Sequence, residues 1–232
     1  MSKIMDYSFL FQQMFGTSSS SASTGIGGNM VKMSDLSSPA VQSQLKAAGI
    51  DTNSKQYQTV VKSMMTAGRG GGYFTIQGIK NRMQYYDADG DHINQAFGVS
   101  GLTVTDKNIG NKNRIVSVSD DIRNEMFELT KKEFLQENGV ANGETTKRSD
   151  IYRKMYPQIA KKDRLAAGHT LSEYEKQYLQ AFKDAVKATD PKWKEGKPIP
   201  AGVLDNITRE RVEAALTQSN GKIVKRGVNM TV

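Results

Sequence analysis

The chain has 232 residues, of which 37% are hydrophobic and 24% are charged, and it contains no cysteine. The length suits one large or two small folded domains, and the lack of cysteine excludes disulfides, thiolate metal sites and cysteine nucleophiles. A catalytic zinc site typically uses two or three histidines with a carboxylate. Because the chain has only two histidines, His92 and His169, we do not expect zinc chemistry.

The net charge is +8, and basic and acidic side chains are mixed along the chain. A nucleic-acid-binding surface usually gathers its basic residues on one face, so this distribution favours a solvated helical surface. No apolar run approaches the roughly 20 residues that a membrane-spanning helix needs. The N-terminal stretch lacks the pattern of a secretory signal peptide, so we expect a cytoplasmic protein or one exported without that signal.

Residues 1–37 combine a short apolar helical pattern with a Ser/Gly-rich stretch, GTSSSSASTGIGG, that is typical of a flexible linker. Tyr7, Leu10, Phe11 and Met14 recur at the spacing of one helix face. A tethered apolar helix has to dock, either on its own domain or on a partner. It lacks the basic face of a membrane-surface helix, so we predict a protein partner or self-association through these four residues, with its own domain as the alternative.

Folded structure is predicted to begin near Ser38. Ser38 is suited to cap a helix that has Pro39 at its first position and stops at Gly49. A second helical pattern places Tyr57 on its inner face. The stretch YFTIQGIKNRMQYY, residues 73–86, predicts a third helix, which leads into an acidic loop.

The patterns that follow the acidic loop are mixed. The alternating stretches LTVT and RIVSVS, both within residues 102–119, predict a small hairpin or sheet. Ser119 is suited to cap the amphipathic helix that comes next. Pro157 should kink or break the following helix, and Thr170 with Glu173 predicts a capping box at the start of another.

The fold class expected from these patterns is mainly α, with some α+β character. We predict an irregular helical bundle with a small β-hairpin or sheet and a flexible N-terminal segment. The N-terminal apolar helix and its linker occupy residues 1–37. Residues 38–118 form a helical subdomain with the acidic loop and the small β element, and residues 119–232 form a second helical subdomain.

The acidic loop lies in the stretch YYDADGDHI, where Asp87, Asp89 and Asp91 stand at alternate positions. A tight turn would bring their carboxylates to one point. Calcium takes six to eight oxygen ligands, so the loop is a candidate calcium site. The alternative is an acidic turn whose aspartates accept backbone hydrogen bonds.

The stretch DADGDHIN, residues 87–94, resembles the start of an EF-hand calcium loop. The resemblance implies Asp87, Asp89 and Asp91 as the first ligands, with the backbone of Ile93 or His92 and the side chain of Asn94 as further candidates. The departures are His92 where the pattern has glycine and Gly98 where it has a bidentate glutamate. Calcium is therefore the expected cofactor, at weak affinity.

Two longer runs, QLKAAGIDTNSKQYQTVVKSMM and TKKEFLQENGVANGETTKRSD, carry a second resemblance. Together with the acidic loop, they resemble an uncharacterised family of clostridial-type bacterial proteins. The resemblance covers most of the chain after residue 40. It implies a bacterial source and assigns no catalytic residue.

No nucleophile elbow, zinc-protease motif or dinucleotide fingerprint is present, so an enzyme is not the leading hypothesis. An unrecognised hydrolase would need a carboxylate pair such as Asp87 and Glu133. The basic segment 147–164, with Tyr152 and Tyr156, is the best candidate for nucleic-acid binding, which remains the other alternative. The leading hypothesis is a non-catalytic structural or interaction protein of a bacterium that binds calcium and docks through its N-terminal aromatic helix.

Overall fold

The computed structural model of the protein describes residues 30–67, 72–140 and 145–226. These residues form seven α-helices and two antiparallel two-stranded sheets, so the mainly α fold is confirmed. The predicted N-terminal helix, with Tyr7, Leu10, Phe11 and Met14, lies outside them. None of the described helices is both long and apolar enough to cross a bilayer.

The first half of the described chain packs three helices against a two-stranded sheet. The sheet pairs β1 with β2 and sets Val31 opposite Phe74. Ser38 accepts a hydrogen bond from the Val41 amide and Pro39 opens the first helix, as predicted. The elements are β1 (Met30–Lys32), α1 (Pro39–Ala47), α2 (Lys55–Ala67), β2 (Tyr73–Thr75) and α3 (Ile76–Met83).

Two predictions for this half are wrong. The third helix does not start at residue 73, because Thr75 is extended and its hydroxyl accepts a hydrogen bond from the Gly78 amide, which caps α3. The linker does not extend to residue 37 either. Val31, Met33 and Leu36 are buried in the core with Leu45 and Ile79, so the packed part of the chain already includes β1.

The second half is a helical bundle closed by a hairpin. Phe127 of α4 (Asp120–Gln136) lies 5.2 Å from Tyr178 and 5.3 Å from Phe182 of α6 (Arg164–Thr189), measured between ring centroids. Edge-on pairs at these distances are favourable aromatic contacts. The elements are α4 (Asp120–Gln136), α5 (Thr145–Gln158), α6 (Arg164–Thr189), α7 (Arg209–Ala214), β3 (Leu216–Ser219) and β4 (Lys222–Lys225).

The helix starts of this half differ from the sequence expectation. Thr170 does not open a helix: it is buried inside α6, where its hydroxyl donates to the Ala166 carbonyl at 3.1 Å. It also accepts the Val116 amide at 3.0 Å, so it anchors the segment that leads into α4. Ser119 precedes α4 but donates to the Gln158 side chain instead of capping. Pro157 lies in the last turn of α5, which ends one residue later.

The predicted β element at residues 102–119 is also wrong. Among the described residues, the strands pair only as β1 with β2 and β3 with β4. Residues 114–119 have no regular secondary structure and join neither sheet. Val118 is instead buried in the helical core, so the alternating pattern reflects packing against helices.

Two glycines that follow helices test how much the turn geometry contributes to stability. Gly139 and Gly49 both have left-handed backbone, with φ of 81° and 74°. A Cβ at Gly139 would lie 2.6 Å from the Trp193 ring, whereas a Cβ at Gly49 would have none of the surrounding atoms within 4 Å.

Gly49→Ala should lower the free energy of unfolding by about 1–2 kcal/mol, from backbone strain alone. Gly139→Ala should cost about 1–3 kcal/mol more, from overpacking, as measured by urea unfolding. Equal losses for the two variants would contradict this account.

Candidate functional site

The acidic loop between α3 and α4 is a tight turn. The Asp87 amide donates to the Asp91 carbonyl, and the Gly90 amide donates to the Asp87 carbonyl, both at 2.9 Å. Asp87 Oδ1 accepts the amides of Asp89 and Asp91 at 3.0 and 2.9 Å. This is the pattern of an aspartate that stabilises a turn through its own backbone, and it brings all three aspartates together as predicted.

A lysine from the second half lies at the centre of the three carboxylates. Lys161 Nζ is 2.6 Å from Asp87 Oδ2, 2.9 Å from Asp89 Oδ2 and 2.6 Å from Asp91 Oδ2. Lys161 belongs to a single 3₁₀ turn, Lys161–Asp163, at the corner between α5 and α6. The ammonium therefore lies where the sequence predicted a calcium ion.

Asp87 is the most strongly held of the three aspartates. Its side chain is 23% exposed, against 65% for Asp89 and 58% for Asp91. Burial acts to raise the pKa of Asp87, but hydrogen bonds from Lys161, Ser100 and the Asp91 amide outweigh burial and lower the pKa to about 2. Burial acts to lower the pKa of Lys161, and the hydrogen bonds to the aspartates raise it well above its usual value. Each partner thus stabilises the charged form of the other.

The remaining predicted calcium ligands do not join this group. Asn94 Oδ1 accepts the Ala96 amide at 3.0 Å, and the Ile93 carbonyl accepts from the Gln95 side chain at 3.1 Å. Among residues 30–67, 72–140 and 145–226, the carboxylates and histidines form no group of three or more arranged to hold a metal. The position among the three aspartates is taken by the Lys161 ammonium.

The basic segment 147–164 directs much of its charge inward. Arg148 lies 2.6 Å from Glu133 on α4 and 2.6 Å from Glu175 on α6, so it ties α4, α5 and α6 together. All three side chains are less than one-fifth exposed. Burial acts to lower the pKa of Arg148, and the bonds to Glu175 and Glu133 raise it. This guanidinium is an internal cross-link and is not offered to an external phosphate.

Other members of the segment are also engaged within the protein. Lys154 pairs with Glu125 at 2.8 Å, and Arg153 pairs with Asp150 at 2.5 Å. Tyr152 and Tyr156 stack on each other with ring centroids 5.9 Å apart and pack against the second-half core. Burial raises the pKa of Tyr152 to about 12. Aromatic rings packed against a core in this way are not presented for stacking with bases.

A second charged cluster, which the sequence analysis missed, joins α4, α6 and α7. Glu213 accepts hydrogen bonds from Arg123 at 3.1 Å, from Arg209 at 2.9 Å and from the Tyr178 hydroxyl. Burial and the hydrogen bond to Glu213 both raise the pKa of Tyr178. Arg123 and Glu213 are 90 residues apart, so their pairing depends on the tertiary fold and leaves no local sequence signal.

The two carboxylates and the two histidines considered for catalysis each contact a different partner within the protein. Glu133 is bound by Arg148, whereas Asp87 is bound by Lys161. Of the histidines, His92 packs edge-on against Tyr86, with ring centroids 5.6 Å apart. His169 Nε2 lies 2.7 Å from the carbonyl oxygen of Gly221, in the β3–β4 turn.

The comparisons with known proteins give a family and no function. Residues 50–232 match a family model described as Domain of unknown function (DUF3879). Searches of curated proteins and of solved structures find no match. The matched range begins before α2 and includes the acidic loop, Lys161 and the Arg148 and Glu213 clusters. With more than half of its length matched, the chain belongs to the DUF3879 family, whose domain has no known function.

Proposed function

We propose that the protein is a non-catalytic structural or interaction protein of a bacterium that docks through its N-terminal aromatic segment. The observation that carries the proposal is the contact of Lys161 with Asp87, Asp89 and Asp91. These three aspartates are the motif that predicted a metal site. Their contact with a lysine of the same chain supports a role in holding the fold together. Arg148 and Glu213 are used in the same way within the bundle.

The protonation states also favour a structural role. A general acid or base works best with a pKa near the working pH, and catalytic groups are often shifted toward neutrality. The pKa of Asp87 is shifted the other way, to about 2, so this carboxylate stays ionised near neutral pH. An ionised aspartate bound to an ammonium is suited to hold a conformation.

The docking role can be separated from folding by two deletions. Removing residues 1–29 should change the melting temperature little, because β1 begins at Met30, and it should weaken self-association or partner binding. Removing residues 1–37 should lower the melting temperature sharply, because it also removes the buried Val31, Met33 and Leu36. Melting is followed by circular dichroism and association by analytical ultracentrifugation.

A matched full-length control replaces Tyr7, Leu10, Phe11 and Met14 with serine. It should reproduce the association defect of the shorter deletion without a change in melting temperature. If self-association and partner binding are the same in the wild type, in the variant that lacks residues 1–29 and in the serine variant, the docking role is excluded.

Calcium enters the proposal as a weak ligand that competes with Lys161 for the three aspartates. The loop lacks the bidentate glutamate of a strong site, and we expect a dissociation constant of about 10⁻⁴ to 10⁻³ M, in the range of weak sites. Lys161→Met removes the competing ammonium. At about a hundredfold excess over the dissociation constant, calcium should stabilise this variant by about 2.7 kcal/mol, and the wild type by less.

The measurement is a calcium titration of melting temperature for the wild type, Lys161→Met and the double variant that also carries Asp87→Asn. The double variant should respond least, because it has lost the best-held carboxylate. If calcium at about 10–100 mM, a hundredfold excess over the expected dissociation constant, leaves the melting curves of all three unchanged, calcium has no part in the function.

The Asp87 pair predicts a specific pH dependence. The pKa of Asp87 is lowered from 3.8 to about 2 in the folded protein. A carboxylate with a lowered pKa stabilises the folded state above its ordinary pKa, and that contribution is lost as the pH falls through the folded-state value. The stability difference between the wild type and Asp87→Asn should therefore be constant from about pH 7 to pH 5 and shrink toward pH 2.

Urea unfolding at several pH values measures that difference, with Asp205→Asn, at an exposed aspartate of the second half, as the control. The control should show no comparable change over the same range. A difference between wild type and Asp87→Asn that does not depend on pH would show that the carboxylate charge contributes nothing.

A further inference from the structure

Most of the buried apolar residues of the described chain fall into two clusters. The first cluster lies between Val31 and Ile79, and the second lies between Val118 and Leu204. The chain between them runs from residue 80 to residue 117, and its part from 87 to 101, which we call the connecting segment, contains the acidic loop. This segment contacts both halves, so its contacts bear on how the two clusters are coupled.

One side of the acidic loop is fixed to the first half. Gly90 has left-handed backbone with φ of 81°, and a Cβ there would lie 2.5 Å from Thr59 Oγ1 and 3.0 Å from the Lys55 carbonyl oxygen on α2. The Gln56 side chain, also on α2, donates to the Tyr86 carbonyl at 2.6 Å, immediately before the loop. The loop backbone is therefore seated directly on α2.

The other side of the connecting segment is fixed to the α5–α6 corner. Gly101 has φ of 84°, and a Cβ there would lie 2.7 Å from the Lys161 carbonyl oxygen. Arg164 donates to the Ser100 carbonyl at 3.0 Å and to the Ile159 carbonyl at 3.0 Å. Ser100 in turn donates its hydroxyl to Asp87 Oδ2 at 2.6 Å. The corner thus holds both the end of the segment and, through Lys161, its acidic loop.

We infer that Lys161 is an internal cation that latches the first cluster to the second across the acidic loop. A metal ion in the same place would neutralise the three carboxylates without joining the loop to a particular part of the chain. The ammonium is covalently part of the second half, whereas Asp87, Asp89 and Asp91 sit on α2 of the first half through Gly90. Its contacts therefore couple the two clusters. The inference concerns conformation and does not depend on the proposed function.

The single tryptophan makes the coupling measurable. Trp193 is buried in the second cluster, so its fluorescence reports unfolding of that half, whereas far-ultraviolet circular dichroism reports the helices of both halves. Coincident transitions by two probes indicate one cooperative unit. In the full-length wild type, urea transitions by the two probes should coincide. In Lys161→Met they should separate, with the dichroism change beginning at lower urea.

Lys162→Met is the matched control, because Lys162 is the exposed neighbour of Lys161 in the same 3₁₀ turn. Its transitions should coincide as in the wild type. Adding Asp87→Asn to Lys161→Met should lower the dichroism midpoint much less than Asp87→Asn does alone, since interacting residues are not additive. Coincident transitions in Lys161→Met, separated transitions in the wild type, or full additivity would each overturn the inference.

Discussion

Three carboxylates within five residues repel one another unless a cation or several donors lie among them, and the arrangement around Asp87 is built on that constraint. Backbone amides satisfy one oxygen of Asp87, while Ser100 and Lys161 satisfy the other. The turn, the position of the α5–α6 corner and the path of the connecting segment all follow from bringing one ammonium to this point. Solvent screens the contacts of Lys161 with Asp89 and Asp91, whose side chains are 65% and 58% exposed, so the contact with the better buried Asp87 contributes most.

The same use of charge recurs inside the bundle. Arg148 joins three helices through two glutamates, and Glu213 gathers two arginines and a tyrosine hydroxyl. Such partly buried pairs add little net stability compared with apolar packing, but breaking one leaves an uncompensated charge. They therefore fix which helices lie side by side, whereas the aromatic contacts around Phe127 lie in the fully buried core.

Local sequence features predicted part of the local structure. Ser38 and Pro39 mark a helix start because capping involves only neighbouring residues, and the alternate aspartates converge because a turn of five residues leaves no other arrangement. The capping-box prediction at Thr170 failed because the helix already begins at Arg164 and continues through Thr170. The alternation before Ser119 likewise reflects burial of Val118 against helices and not pairing with a strand.

Local sequence features did not predict that Lys161 lies among the three aspartates. Lys161 is 72 residues from Asp89, and nothing in its own neighbourhood distinguishes it from Lys162 beside it. The calcium prediction considered only ligands near the loop in sequence, so it could not include a lysine from the α5–α6 corner. The N-terminal boundary was misplaced because β1 is only three residues long, too short for its alternation to stand out beside a Ser/Gly stretch.

A cation that is part of the chain differs from a dissolved one in its supply. Its local concentration is set by the tether, not by the surroundings, and intramolecular partners of this kind correspond to effective concentrations in the millimolar range or above. A chelator cannot remove Lys161, and dilution does not empty its position among the aspartates. The supply of this cation is therefore the same in a calcium-poor compartment and in a calcium-rich one. Ionic strength, through screening of the exposed Asp89 and Asp91, is the environmental variable to which this junction responds first.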